Sequence, residues 1–180
     1  ETTTLIRFQT FGSIEKTYQA WTGVPSYLLD SDRDLQTLAG NIKKNGVTKY
    51  YKNQTDNYRQ QNYHLTASQR LSDLWNMNLT LHYTHGAGYY EDYKGGAKVK
   101  DYKLPPYIDS QGDTIAKTDL VRRKWLENDF YGAIYSANYR GERLQFSAGA
   151  AINRYDGDHF GRVMWAETIN NLPEPDYEYY

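Results

Sequence analysis

The side chains with most chemical potential in this chain are four histidines and an excess of tyrosines. His64 and His82 fall at matching positions of two alternating stretches, so a hairpin would set them opposite each other. Such a pair could hold a metal or line a solute path. Two imidazoles without a nearby carboxylate are an incomplete ligand set, so a hydrogen-bonded polar pair is expected and no metal. His82 and His85 are three residues apart and would point to opposite faces of a strand. His159 stands beside Asp156 and Asp158, but Asp156-Gly157-Asp158 reads first as a turn opening a loop.

No pair of carboxylates is spaced as an acid and a base at strand ends. No serine sits in a nucleophile elbow, no phosphate-binding glycine loop occurs, and no zinc-type histidine motif is present. Gly95-Gly96 lies in a charged stretch, not between strand and helix. The chain is therefore expected not to be an enzyme and to need no cofactor. Tyrosine is the outlier, at 19 of 180 residues. Tyr89, Tyr90, Tyr93, Tyr102 and Tyr107 gather in one expected loop, with Trp21 and Tyr27 in an earlier one. Tyrosine offers rigid contact area at low entropic cost, which makes these seven the candidate ligand contacts. The competing use of the same rings is packing the loops together.

Strands must position these groups. Trp75, Met77, Leu79, Leu81 and Tyr83 alternate with Asn76, Asn78, Thr80, His82 and Thr84. That is period-two patterning with an aromatic at each end of the apolar row. Lipid outside, water inside and aromatic girdles at both interfaces produce this pattern. Tyr63, Leu65, Ala67 and Leu71 share a face upstream that Gln69 breaks, and centring a hairpin on Asp73 pairs Leu71 with Trp75 and Tyr63 with Tyr83. A second hairpin around Gly141-Glu142 pairs Tyr139 with Leu144 and Tyr131 with Ile152. Its opposite face carries Ser136, Asn138, Arg140, Arg143, Gln145, Ser147 and Asn153, with Ile134 the apolar exception. His64, Asn78, Thr80, His82, Arg140 and Arg143 are thus the expected lumen-facing residues.

The expected fold is all-β, an antiparallel up-and-down meander forming part of a transmembrane β-barrel. Strands are expected at about 2–11, 61–71, 75–85, 129–140 and 143–155, with long loops at 12–60, 86–124 and 156–180. A short helix is expected over Asp30 to Ile42. Long loops alternate with very short turns, as in membrane barrels.

Composition limits the alternatives. Hydrophobic residues make up 39% and mean hydropathy is strongly negative, which is poor material for a large dry core. Net charge is -1, so nothing points to nucleic acid. Cysteine is absent, which removes disulfide and thiolate chemistry. No run approaches the ~18–20 apolar residues of a membrane helix. The chain opens Glu1-Thr2-Thr3-Thr4 without a methionine, and reads as a piece of something longer.

Five segments resemble TonB-dependent outer-membrane receptors, in order along most of the chain. They are Lys16 to Pro25, Asn53 to Tyr58, Leu81 to Glu91, Trp125 to Gly132 and Asn153 to Gly161. These are aromatic and glycine patterns, not a catalytic signature. The resemblance implies a place in the outer membrane of a Gram-negative bacterium and import of a scarce large solute, such as a siderophore, a cobalamin-like compound or a glycan. It implies as partners outer-membrane lipid, an extracellular ligand, the remaining strands and plug of the receptor, and TonB acting through an N-terminal part. No TonB box or plug is found in this sequence, so only part of a transporter is expected. The alternative is a soluble tyrosine-rich β-sheet binding module, for example a carbohydrate-binding one. It predicts that a second sheet of the same chain covers the apolar row.

Overall fold

The computed structural model describes residues 3–18, 26, 30, 41–105, 107–168 and 177–180. The strands are β1 (Thr3–Tyr18), β2 (Asn41–Lys44), β3 (Val47–Tyr50), β4 (Thr55–Arg70), β5 (Trp75–Lys98), β6 (Tyr107–Ile108), β7 (Thr114–Ile115), β8 (Lys117–Arg140), β9 (Gln145–Ala166) and β10 (Tyr177–Glu178). Six of them form one sheet in the order β1-β4-β5-β8-β9-β10, and β2-β3 and β6-β7 are separate two-stranded pieces. The protein is all-β and its sheet is an antiparallel meander. Among the described residues the strand order has two ends and no closed barrel.

The main strands outrun their expected limits. The stretches expected as loops at 86–124 and 156–180 contribute β5 as far as Lys98, β8 from Lys117 and β9 as far as Ala166. Beyond Tyr83 both faces of the chain carry tyrosines, charges and glycines. The contrast between faces that marks a strand in sequence is then lost, although the ladder of backbone hydrogen bonds continues. Asp156-Gly157-Asp158 accordingly lies within β9 and opens no loop. The helix expected over Asp30 to Ile42 falls largely outside the described residues, and its end is part of β2.

The chain divides into two compact units. The first is Glu1–Ile14, Arg59–Ala87 and Glu127–Asp158, and the second is Glu15–Tyr58, Gly88–Leu126 and His159–Tyr180. In the first, the β4–β5 turn closes with the Leu71 N–H donating to the Trp75 carbonyl at 3.0 Å. The Ser72 hydroxyl accepts from the N–H groups of Leu74 and Trp75, both at 3.2 Å. Thr66 meets Thr80 at 3.1 Å, Ser68 meets Asn78 at 2.8 Å, and Tyr63 stacks on Tyr83 at 6.0 Å. This is the register that centring on Asp73 gives.

The β8–β9 hairpin differs. The Gly141 N–H donates to the Leu144 carbonyl at 2.9 Å, so Glu142-Arg143 is the turn and Asn138 faces Ser147 at 2.8 Å. The pairing is displaced by two residues from the one expected around Gly141-Glu142. An even displacement returns every side chain to its own face, so the face pattern cannot choose between the registers and the turn decides.

The second unit carries the buried core. Val99, Tyr102, Leu104, Leu120, Val163, Ala166 and Tyr179 form one cluster, with Leu120 and Val163 fully buried. A 3-10 turn at Val99–Tyr102 folds the chain back on itself. Lys103 takes a left-handed conformation at φ 51, and the Leu104 N–H returns to the Val99 carbonyl at 3.3 Å.

Candidate functional site

In the first unit the sheet separates two chemistries. On one face Leu79 is 41% exposed, Leu81 47% and Ile152 75%, and no described residue covers them. Phe8, Leu65, Tyr135 and Phe146 are exposed beside them. Aromatics bound this apolar row. At one end Trp75 packs on Tyr139 at 5.1 Å and edge-on to Phe146 at 6.0 Å, and at the other Tyr63 and Tyr83 stack. The next residues past Tyr83 are polar. Asp129 accepts from the Tyr83 hydroxyl at 2.6 Å and from His85 Nδ1 at 2.9 Å, and Asp156 accepts from Tyr131 at 3.2 Å and from Arg154 at 3.0 Å. The row from Trp75 to Tyr83 matches the ~9–11 residues with which a tilted strand crosses a bilayer.

The other face is mostly polar and hydrogen-bonded, with Phe11, Phe130 and Ile134 as exposed apolar exceptions. Asn78 reaches Ser136 at 3.3 Å as well as Ser68, and Thr84 donates to Asn62 at 2.8 Å. His64 and His82 do sit opposite, with ring centroids 6.4 Å apart and edge-on, but they are not hydrogen-bonded to each other as expected. His64 packs against Phe11 at 5.4 Å, and His82 Nε2 donates to Asn153 Oδ1 at 2.9 Å. Among the described residues no three His, Cys, Asp or Glu side chains gather as a metal site. Asn78, Thr80 and His82 share this face. Arg140 ends β8, and its backbone N–H bonds Leu74 at 2.9 Å. Arg143 lies in the turn rather than on a strand face, because the pairing is displaced.

The second unit holds an open cleft of about 530 Å³. Glu15, Asp56, Tyr58, Tyr90, Lys124, His159 and Tyr180 line it. The strands explain the convergence: these residues are cross-strand neighbours on β1, β4, β5, β8 and β9, with the chain end beside them. Gly88 keeps the floor open, since a Cβ there would lie within 3.0 Å of the Asn57 carbonyl and the Tyr58 ring. Burial and the nearby Glu15 carboxylate push the Asp56 carboxyl above its ordinary range, against a backbone N–H bond from Asn57 that lowers it. The Lys124 ammonium lies 6.0 Å from the Tyr90 ring and 5.8 Å from the Tyr180 ring. Paired carboxylates, one ammonium and several phenol rings suit a polar ligand with ring or hydroxyl surfaces.

No family model, no curated protein and no solved structure matches this chain.

Of the seven aromatic contacts expected from the sequence, Tyr89 and Tyr90 line this cleft. Tyr89 lies against Trp125 at 4.5 Å, beneath the Arg123 guanidinium at 4.3 Å. Tyr93 is buried and donates to Asp119. Tyr102 is buried and accepts from Arg122 at 3.0 Å. Tyr107 packs on the core cluster. Trp21 and Tyr27 lie outside the described residues. Sequence reasoning missed Glu15, Asp56, Tyr58 and Lys124, whose signal is legible only once cross-strand register extends past the apolar row. It also missed Arg122, which grips buried Asp92 through two bonds of 2.8 and 3.2 Å.

Proposed function

We propose that this chain forms part of the wall of an outer-membrane β-barrel transporter, of the TonB-dependent receptor kind that its motifs resemble. Such a protein imports a scarce large solute across the outer membrane of a Gram-negative bacterium. The observation that carries this reading is the uncovered apolar row of the first unit, bounded by aromatics at both ends and backed by a mostly polar, hydrogen-bonded face. In water such a row is a liability, whereas in a bilayer it is the favoured surface. The remaining strands, the plug and the TonB contact belong to other parts of the receptor in this reading. The cleft around Asp56 and Tyr90 is then a candidate contact for the solute. Its charged groups argue for a ligand with hydrogen-bonding capacity rather than a plain hydrocarbon.

The absence of cysteine makes a direct test simple. Single cysteines at positions 76–83 carry nitroxide labels, and the chain is refolded into phospholipid vesicles. Molecular oxygen should reach labels at 77, 79 and 81 preferentially, and a water-soluble nickel complex those at 78, 80 and 82. Equal access of the nickel complex to both sets would sink the membrane reading. Shielding of the odd positions from both reagents would favour the soluble binding module.

A further inference from the structure

A second recess in the second unit has a different chemistry. A groove of about 420 Å³ runs between the 3-10 turn and the chain from β7 to the start of β8, within the range of small-ligand sites. Its apolar lining comes from Val99, Leu104 and Ile115, and Lys98, Lys100 and Lys117 complete the wall. Val99 and Leu104 belong to the buried core, and the Val99 N–H donates to the Ala116 carbonyl at 3.1 Å. The floor is therefore tied down from both sides and is pre-formed.

The three lysines have no ion-pair partner among the described residues. Asp92 is engaged by Arg122 and Lys94, Asp119 by Tyr93 and the Gly96 N–H, and Asp109 by the N–H groups of Gln111 and Asp113. Asp101, in the turn, is exposed and bridges none of them. Lysine stems commonly cover apolar surface while their ammonium groups stay in water. Three such stems flank one apolar groove, and none of their ammonium groups forms an ion pair among the described residues.

We propose that this groove binds a soluble amphiphilic organic anion, its apolar body on Val99, Leu104 and Ile115 and its carboxylate or sulfonate between the lysines. The site does not depend on the transport reading. It follows from charge complementarity above a rigid apolar floor, and needs no bilayer.

The chain, held in a non-ionic amphipathic polymer, is titrated with naphthalene-2-sulfonate and with uncharged naphthalene-2-methanol, with binding followed by calorimetry. The sulfonate should bind about tenfold more tightly, the size of a few screened charge contacts. Added salt should shrink the difference. The double substitution Lys98→Glu and Lys117→Glu changes only groove-rim charges and should erase it, while Ala116→Trp should weaken both probes by filling the groove. Equal affinity of the two probes, or a preference that survives charge reversal, overturns the proposal. So does lysine-dependent binding to phosphatidylglycerol vesicles without binding of the monomeric sulfonate, which would assign the charges to a membrane surface.

Discussion

His82 on β5 and Asn153 on β9 are hydrogen-bonded at 2.9 Å although β8 runs between their strands. The residue of β8 between them is Gly132. A Cβ there would lie within 3.0 Å of the Ile152 carbonyl oxygen and of Asn153 Oδ1. The missing side chain is what lets an imidazole and an amide meet across an intervening strand.

Gly132→Ala should therefore break this contact and displace the β8–β9 backbone, destabilising the sheet by about 1–3 kcal/mol as other overpacking changes do. Denaturant unfolding gives the stability, and imidazole nitrogen shifts of His82 report the lost bond. A variant with parental stability and an unchanged His82 signal would show that β8 tolerates a side chain at the crossing.

The two faces of β5 should respond unequally to the same charge. Leu79→Arg should cost roughly 2–4 kcal/mol in lipid vesicles if it meets the bilayer midplane, and Thr80→Arg much less. Reversible urea unfolding from the vesicles measures both. Equal costs would remove the distinction between a lipid face and a water face.

Glu91 should make part of the second unit acid-sensitive. It is only 3% exposed. Burial favours its protonation, but hydrogen bonds from Tyr51, Asn53 and Arg123 outweigh this and hold the carboxyl below its ordinary value of 4.5. The unfolded chain then binds the proton more readily than the folded one. The stabilisation is present above pH 4.5 and is lost as pH falls through the lower folded value. Hydrogen exchange at Tyr51 to Asn53 should accelerate over that window, and Glu91→Gln should flatten the dependence. An unchanged acid profile in the variant would place the sensitivity elsewhere.

The same carboxylate shows where sequence reading stops. Nothing local marks Glu91 as special, because its partners Tyr51, Asn53 and Arg123 arrive from β8 and from the segment between β3 and β4. The recess around Asp56, Tyr90 and Lys124 is hidden for the same reason. Each residue is ordinary alone, and their meeting depends on register carried past the last apolar side chain.

The sequence by itself determined the all-β class, the two tight hairpins, the β4–β5 register and the separation of apolar from polar faces between Trp75 and Tyr83. Each is set by neighbours two residues apart or by a short turn, so local chemistry suffices. Tertiary structure alone decided the length of the strands, the displaced β8–β9 pairing, the His82–Asn153 bond over Gly132 and the convergence of charges in the second unit. Those depend on which residues lie opposite across several strands, and a pattern repeating every two residues gives the same faces for every even displacement.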